Sequence, residues 1–235
     1  MTAQLARLGS LTLEILFPRS CVLCGDAMLS EPCRKYPLCA RCEESLERPC
    51  GQRCPVCGKS LISEIGKCMR CRERQFSFDS AFPLWDYGGS VKDLIIAYKV
   101  KGMRRLAGFF AERMGMHLGS RHPGVTVVPV PPRMGKLKQA GWDQVEDIAR
   151  KLERNAIPVE RCLERAPGVS QKTLDYKARL SNLSGKIGLR AGPKPPATVV
   201  LLDDVFTTGA TLSECARVLK AGGALRVDAL TLAAD

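Results

Sequence analysis

A chain of 235 residues, 45% hydrophobic and 6% aromatic, has room for one well-buried α/β domain plus a small module and is too apolar to be a disordered polyelectrolyte. Its formal charge of +12, from 36 Lys+Arg against 24 Asp+Glu, points to anionic partners such as phosphates or nucleic acid without choosing between them. No apolar run approaches the roughly 20 residues that a bilayer requires, so the expectation is a cytoplasmic protein with no membrane insertion. Residues 5–17 are apolar but interrupted by Arg7 and Glu14, with no small-residue cleavage site. Leu5, Leu8, Thr12, Ile15 and Leu16 approximate one helical stripe, so residues 1–17 read as a short packing helix rather than a targeting segment.

Residues 18–75 read as a metal module. Ten of the twelve cysteines lie between Cys21 and Cys71, and eight of them form the pairs Cys21/Cys24, Cys39/Cys42, Cys54/Cys57 and Cys68/Cys71. A two-residue spacing lets two sulfurs close on one ion, and Gly25 and Gly58 follow two of the pairs where a tight turn is needed. Two closed sites of four cysteines each, holding two structural Zn2+ ions, are expected. Sequential pairing is the simplest arrangement, although a cross-braced one fits the same spacing. The lack of an evident signal peptide argues against a disulfide framework. Cys33 and Cys50 are spare, while Cys162 and Cys215 read as small packing residues. With eight thiolates and two zinc ions, the charge of +4 on residues 1–75 (12 cations, 8 anions) falls near zero. The excess of about +8 then lies in residues 76–235. So small a core is expected to unfold without metal.

Residues 76–235 read as the α/β domain. Residues 81–87 suggest an edge strand. Ser90 is a candidate cap for a helix whose apolar face is Val91, Leu94, Ile95 and Tyr98. Gly102 interrupts, and Leu106, Phe109, Phe110 and Met114 resume the stripe, with Lys99, Lys101, Arg104 and Arg105 clustered at the break. Residues 125–131 form a buried strand that runs into a proline-rich loop followed by Arg133, Lys136 and Lys138. That stiff loop beside cations makes Val130, Pro131, Pro132 and Arg133 candidates to hold a diphosphate. Gly141-Trp142-Asp143-Gln144 then leads into a helix ending near Glu153. Residues 165–183 are polar, basic and long for a connection, as functional loops often are. His117 and His122 stand isolated in the sequence and read as structural.

Residues 199–211, VVLLDDVFTTGAT, carry the strongest signal. Residues 199–202 lack the alternation of a half-solvated strand and suit the centre of a parallel sheet covered on both faces. Asp203 and Asp204 follow at the strand's carboxyl end, where open α/β sheets bind ligands. Residues 207–211 supply three hydroxyls, free backbone N–H groups and a glycine, and open a helix over 212–221 whose positive end favours phosphate. Carboxylates for sugar hydroxyls next to a phosphate-cradling turn suit a ribose 5-phosphate.

This segment resembles the phosphoribosyl-pyrophosphate (PRPP) motif of type I phosphoribosyltransferases. The resemblance implies a mostly parallel sheet with helices on both faces and Mg2+ bound together with PRPP. It also implies that Asp203 and Asp204 contact the ribose hydroxyls and that Thr207, Thr208, Gly209, Ala210 and Thr211 wrap the 5′-phosphate. Gln171, Lys172 and Arg179 would belong to a flexible loop that closes over the ribose. Thr207 stands where 6-oxopurine salvage enzymes usually carry Asp, which implies a substrate other than hypoxanthine or guanine. The order of four-cysteine modules, Lys99-Val100-Lys101-Gly102, Pro129-Val130-Pro131, Gly141-Trp142-Asp143-Gln144, Ser170-Gln171, Arg179-x-x-Asn182 and the PRPP motif resembles the ComF family. That family joins a double zinc ribbon to a phosphoribosyltransferase-like domain and is associated with single-stranded DNA handling during natural transformation. Single-stranded DNA and DNA-uptake or recombination proteins are therefore implied partners. The family's usual Arg-Gly-Phe-Asn-Gln is Ala140-Gly141-Trp142-Asp143-Gln144 here, a cation lost and an acid gained.

Overall fold

The computed structural model describes residues 20–28, 35–46, 51–133, 141–165, 186–192 and 194–235. Its centre is a four-stranded parallel sheet built from β1 (Ala81–Asp86), β2 (Thr126–Pro129), β5 (Thr198–Phe206) and β6 (Arg226–Ala234). The order across the sheet is β1-β6-β5-β2. Every residue of β6 after Arg226 is buried, as a strand covered on both faces requires. Strand β1 lies at an edge, where Pro83 is tolerated. Beyond β2, Val127 bridges Val159 in parallel. A separate antiparallel pair, β3 (Leu163–Arg165) and β4 (Ile187–Leu189), brackets the long basic segment.

Alternation along the strands divides the interior in two. Val127, Val200, Leu202, Leu230 and Leu232 face one way and pack with α3 (Gly89–Lys99), α4 (Leu106–Arg121) and α5 (Gln144–Arg154). Val128, Val199, Leu201, Val227 and Ala229 face the other way and pack with α6 (Ala210–Ala221). The cysteine module straddles this division. Cys21 joins the first cluster, whereas Cys54, Cys57, Cys68 and Cys71 join the second. Two short helices, α1 (Ala40–Glu44) and α2 (Met69–Glu73), each start directly after a cysteine. The architecture is the α/β one expected, a mostly parallel sheet with helices on both faces, and the cysteine-rich module lies at its N-terminal side.

Several local expectations need correction. Gly88, in extended backbone, precedes α3 as its cap, and Ser90 lies within the first turn. Strand β5 continues through both aspartates to Phe206, held by pairing with β6 up to Ala234. Helix α6 starts at Ala210, so Thr211 sits in its first turn. His117 and His122 are not isolated: their rings lie 6.2 Å apart, both against Phe82, and His122 faces the fully buried Asp228 at 3.8 Å. Burial first, then the neighbouring His122 and Arg121, pushes His117 down to about 4, and burial lowers His122 as well. No helix among the described residues is long and apolar enough to cross a membrane. The 1–17 segment, Cys33, Cys50, Lys136 and Lys138 lie outside the described residues.

Candidate functional site

The eight paired cysteines gather into two sets of four, Cys21/Cys24/Cys39/Cys42 and Cys54/Cys57/Cys68/Cys71, so the pairing is sequential rather than cross-braced. Sulfurs of Cys24 and Cys39 are 3.9 Å apart and those of Cys57 and Cys68 3.6 Å. These separations are far beyond a bonded disulfide. They match the ~3.8 Å expected between ligands of a tetrahedral zinc thiolate with bonds near 2.3 Å. Local backbone lowers one thiol in each set, while burial and the neighbouring sulfurs raise Cys42, Cys57 and Cys71. Burial raises the Cys21 thiol, but N–H groups of Cys24, Cys39 and Leu23 outweigh it and bring it to about 7. Cys54 is likewise buried yet lowered to about 7, by N–H groups of Cys57, Cys68 and Val56. Gly25 and Gly58 turn with positive φ (79° and 70°), as the knuckle geometry requires. The residues fit two structural zinc ions.

The second candidate site is a cavity of about 320 Å3 at the carboxyl ends of β2 and β5. Asp203, Asp204, Thr207 and Thr211 line it from the motif segment, and Val130, Pro131, Pro132 and Arg133 from the loop after β2. Hydrogen bonding between Val130 N and Leu202 O (3.0 Å) extends the ladder past β2 and holds that loop to β5. Gly209 occupies the left-handed region at φ 74° and precedes α6. Thr208 Oγ1 accepts from Ala210 N at 3.3 Å. Thr208, Gly209 and Ala210 therefore shape the turn, while Thr207 and Thr211 face the cavity. Gln171, Lys172 and Arg179 fall outside the described residues.

Charge in this cavity is arranged in opposition. Lys99, on the last turn of α3, pairs with Asp204 at 2.7 Å, and Tyr98 beside it donates to the Gln144 carbonyl at 2.7 Å, fixing α3 against the start of α5. Asp203 accepts from the Asp204 amide at 2.8 Å. Burial, then the neighbouring Asp204 charge, raises Asp203 to about 7 despite Lys99 and Arg165. Arg165 is lowered by burial and by Arg133, and its Nε is buried without a hydrogen-bond partner. A half-buried guanidinium with an unpaired N–H at such a cavity offers a ready donor to an anion. Sequence reading treated Arg165 only as the start of a basic segment. Its three-residue strand, too short to detect by periodicity, delivers it to the site. Lys99 was legible as part of a basic cluster, but its companions diverge: Arg104 pairs with Asp147 at 2.7 Å outside the cavity.

Asp143 explains the altered Gly-Trp-Asp-Gln stretch. Its side chain accepts from Val145 N and Glu146 N, both at 3.0 Å, capping α5. The same residue lines a neighbouring cavity of about 330 Å3, separated by the Pro131-Pro132 wall and bordered by Trp142, Arg161 and Arg190.

Residues 12–72 match the family described as the double zinc ribbon domain. The chain is 25% identical over 229 residues to "Competence protein ComFC" of Streptococcus pneumoniae, which covers 90% of this chain and 98% of that protein. It is 26% identical over 210 residues to "Competence protein F" of Haemophilus influenzae, covering 85% and 91%. Among solved structures, a hypoxanthine phosphoribosyltransferase from Staphylococcus aureus aligns at 11% identity and a TM-score of 0.35, over 55% of this chain and 62% of that one.

Proposed function

We propose that this chain, ComF-like along most of its length, binds PRPP or a related phosphoribosyl ligand with Mg2+ and assists the handling of single-stranded DNA during natural transformation. The supporting observation is the gathering of two carboxylates, the Thr207 and Thr211 hydroxyls, the proline-stiffened loop and a half-buried arginine whose Nε has no hydrogen-bond partner around one cavity. In this reading Asp203 and Asp204 accept from the ribose hydroxyls, and the N-terminus of α6 receives the 5′-phosphate. Arg133 and Arg165 lie where a diphosphate needs counter-charge. The hard oxygen donors of the two aspartates suit Mg2+, which when bound would neutralise part of the diphosphate charge. Lys99, paired with Asp204 at 2.7 Å, orients that carboxylate before the ligand arrives.

Calorimetric titration of Mg2+–PRPP into zinc-loaded protein tests the site. Binding should be measurable for the wild type and abolished in the paired Asp203→Asn/Asp204→Asn variant. Equal heats for both proteins would remove the carboxylates from the site. The DNA role draws on the names of the relatives and on the basic charge of residues 76–235. Oligonucleotide affinity should fall by about 0.7 log units per log unit of salt for each phosphate contacted. No binding at low salt would overturn that role for the isolated protein.

A second reading is transfer of the phosphoribosyl group to an acceptor, favoured by retention of both loops around one cavity. There the bond from ribose C1 to the diphosphate breaks, the bond from C1 to the acceptor forms, and the acceptor's proton passes to solvent. It requires diphosphate release that depends on an added acceptor.

A further inference from the structure

The second tetracysteine site and the motif turn are built into one piece of structure. Arg70 lies between the ligands Cys68 and Cys71. Its guanidinium donates to the Thr207 carbonyl, at the start of the turn, and reaches the Asp235 carbonyl at 3.4 Å. The segment leaving the module continues the contact. Phe76 stacks on Phe78 at 4.8 Å, and both rings meet Phe206 edge-on at 6.1 and 6.0 Å. Ser77 N donates to Ser213 Oγ in α6 at 3.0 Å. Gly209 is wedged so closely that a Cβ there would lie 2.7 Å from Phe206 and 2.8 Å from Phe76. The four cysteines share their apolar cluster with Phe206, Leu212 and Cys215.

Among the described residues, the first tetracysteine site has no such connection. Its contacts run to α4 on the opposite face, through Tyr36 to Glu112 at 2.7 Å and through Glu43 to Arg113. The two metal sites, equivalent in sequence, are thus unequal in what they touch.

We propose that the second tetracysteine site governs the turn at 207–211, with Arg70 as the positioning residue, so that its metal occupancy and the ligand affinity of the turn are coupled. This rests on the phosphoribosyl reading for the identity of the ligand, though not for the mechanical link. A filled site holds Cys68 and Cys71, and hence Arg70, in place. Arg70 then orients the Thr207 carbonyl away from the cavity, leaving N–H groups of the turn directed at an anion. Coupling of this kind is reciprocal: ligand must retain the metal as strongly as metal favours ligand.

Two measurements on the full-length zinc-loaded protein test this. Hydrogen exchange over residues 205–216 should quicken about tenfold in Arg70→Ala, the order expected for losing a charged hydrogen bond to backbone, while Arg70→Lys recovers part of the protection. Both variants should keep two zinc ions, which separates a positioning effect from unfolding. Stripping the second site with Cys68→Ser/Cys71→Ser should quicken exchange likewise, and Cys24→Ser/Cys42→Ser in the first site should not. In the metal arm, Mg2+–PRPP should slow zinc transfer from one of the two sites to a chromogenic chelator by about fivefold or more, and Arg70→Ala should abolish that slowing. Unchanged exchange in Arg70→Ala overturns the proposal, as does bound PRPP that slows neither zinc or both equally. Quickened exchange in a protein that takes up no PRPP would uphold the link and overturn the ligand assignment instead.

Discussion

Near neutral pH the Asp203 carboxyl sits at its midpoint, because burial and the adjacent Asp204 oppose its charge more strongly than Lys99 and Arg165 favour it. An unfolded aspartate titrates near 3.9. Between about pH 4 and 7 the folded chain therefore holds a proton that the unfolded chain has lost, and stability falls as pH rises through that window. Above about 7 the full cost is present. Asp203→Asn removes it, so the variant should melt above the wild type at pH 8, by roughly 3 °C per kcal/mol recovered. The gap should narrow at pH 6. A wild type equal to Asp203→Asn at both values would show that the carboxyl is not strained. A ligand that donates hydroxyls to this carboxylate should in turn bind more tightly as pH rises toward 8.

At the scale of elements, the turn before α6 carries the sharpest constraint. Gly209 combines φ 74° with rings where a Cβ would stand. Gly209→Ala should cost about 2 kcal/mol or more, because it adds backbone strain to an overpacked contact; urea denaturation measures it. The long apolar signals were legible in sequence: β5, the stripes of α3 and α4, and the cysteine pairs all lie where spacing and periodicity put them. Strand β6 was not anticipated, since its buried Asp228 and Thr231 and its three alanines dilute an apolar run. Both polar side chains find partners two residues away in the same strand, Arg226 for Asp228 Oδ2 and the Ala233 carbonyl for Thr231, while Asp228 Oδ1 is buried without one. Arg165 escaped notice for a different reason. Its meaning comes from Asp203 and Arg133, neighbours that only the folded sheet supplies. The Asp203-Asp204 pair was legible because its chemistry is local.

For the whole molecule, the placement of one tetracysteine site against each face of the sheet predicts unequal metal release. Cys24 is exposed and Cys39 and Cys42 are half-buried, whereas all four ligands of the second site are buried. A chelator should therefore remove one zinc quickly and the other slowly, in two kinetic phases read from a metal-sensitive dye. A single phase of two equivalents would overturn the inequality. Loss of the slower ion should lower the thermal stability of the α/β domain as well, because those sulfurs lie in its interior.

The same ribbon bears on strand β1, whose outer edge would otherwise be open. Val56 O accepts from Ala81 N at 2.7 Å, Arg53 donates to the Pro83 carbonyl at 2.9 Å, and Ser60 holds Asp86 at 2.7 Å. A parallel sheet ending in bare N–H and C=O groups is a template for another chain. Here the metal-folded knuckle occupies that template. Zinc starvation would then do more than loosen a module: it would uncover a strand ready to recruit its counterpart from a second molecule, and metal supply would decide whether the protein stays dispersed or aggregates.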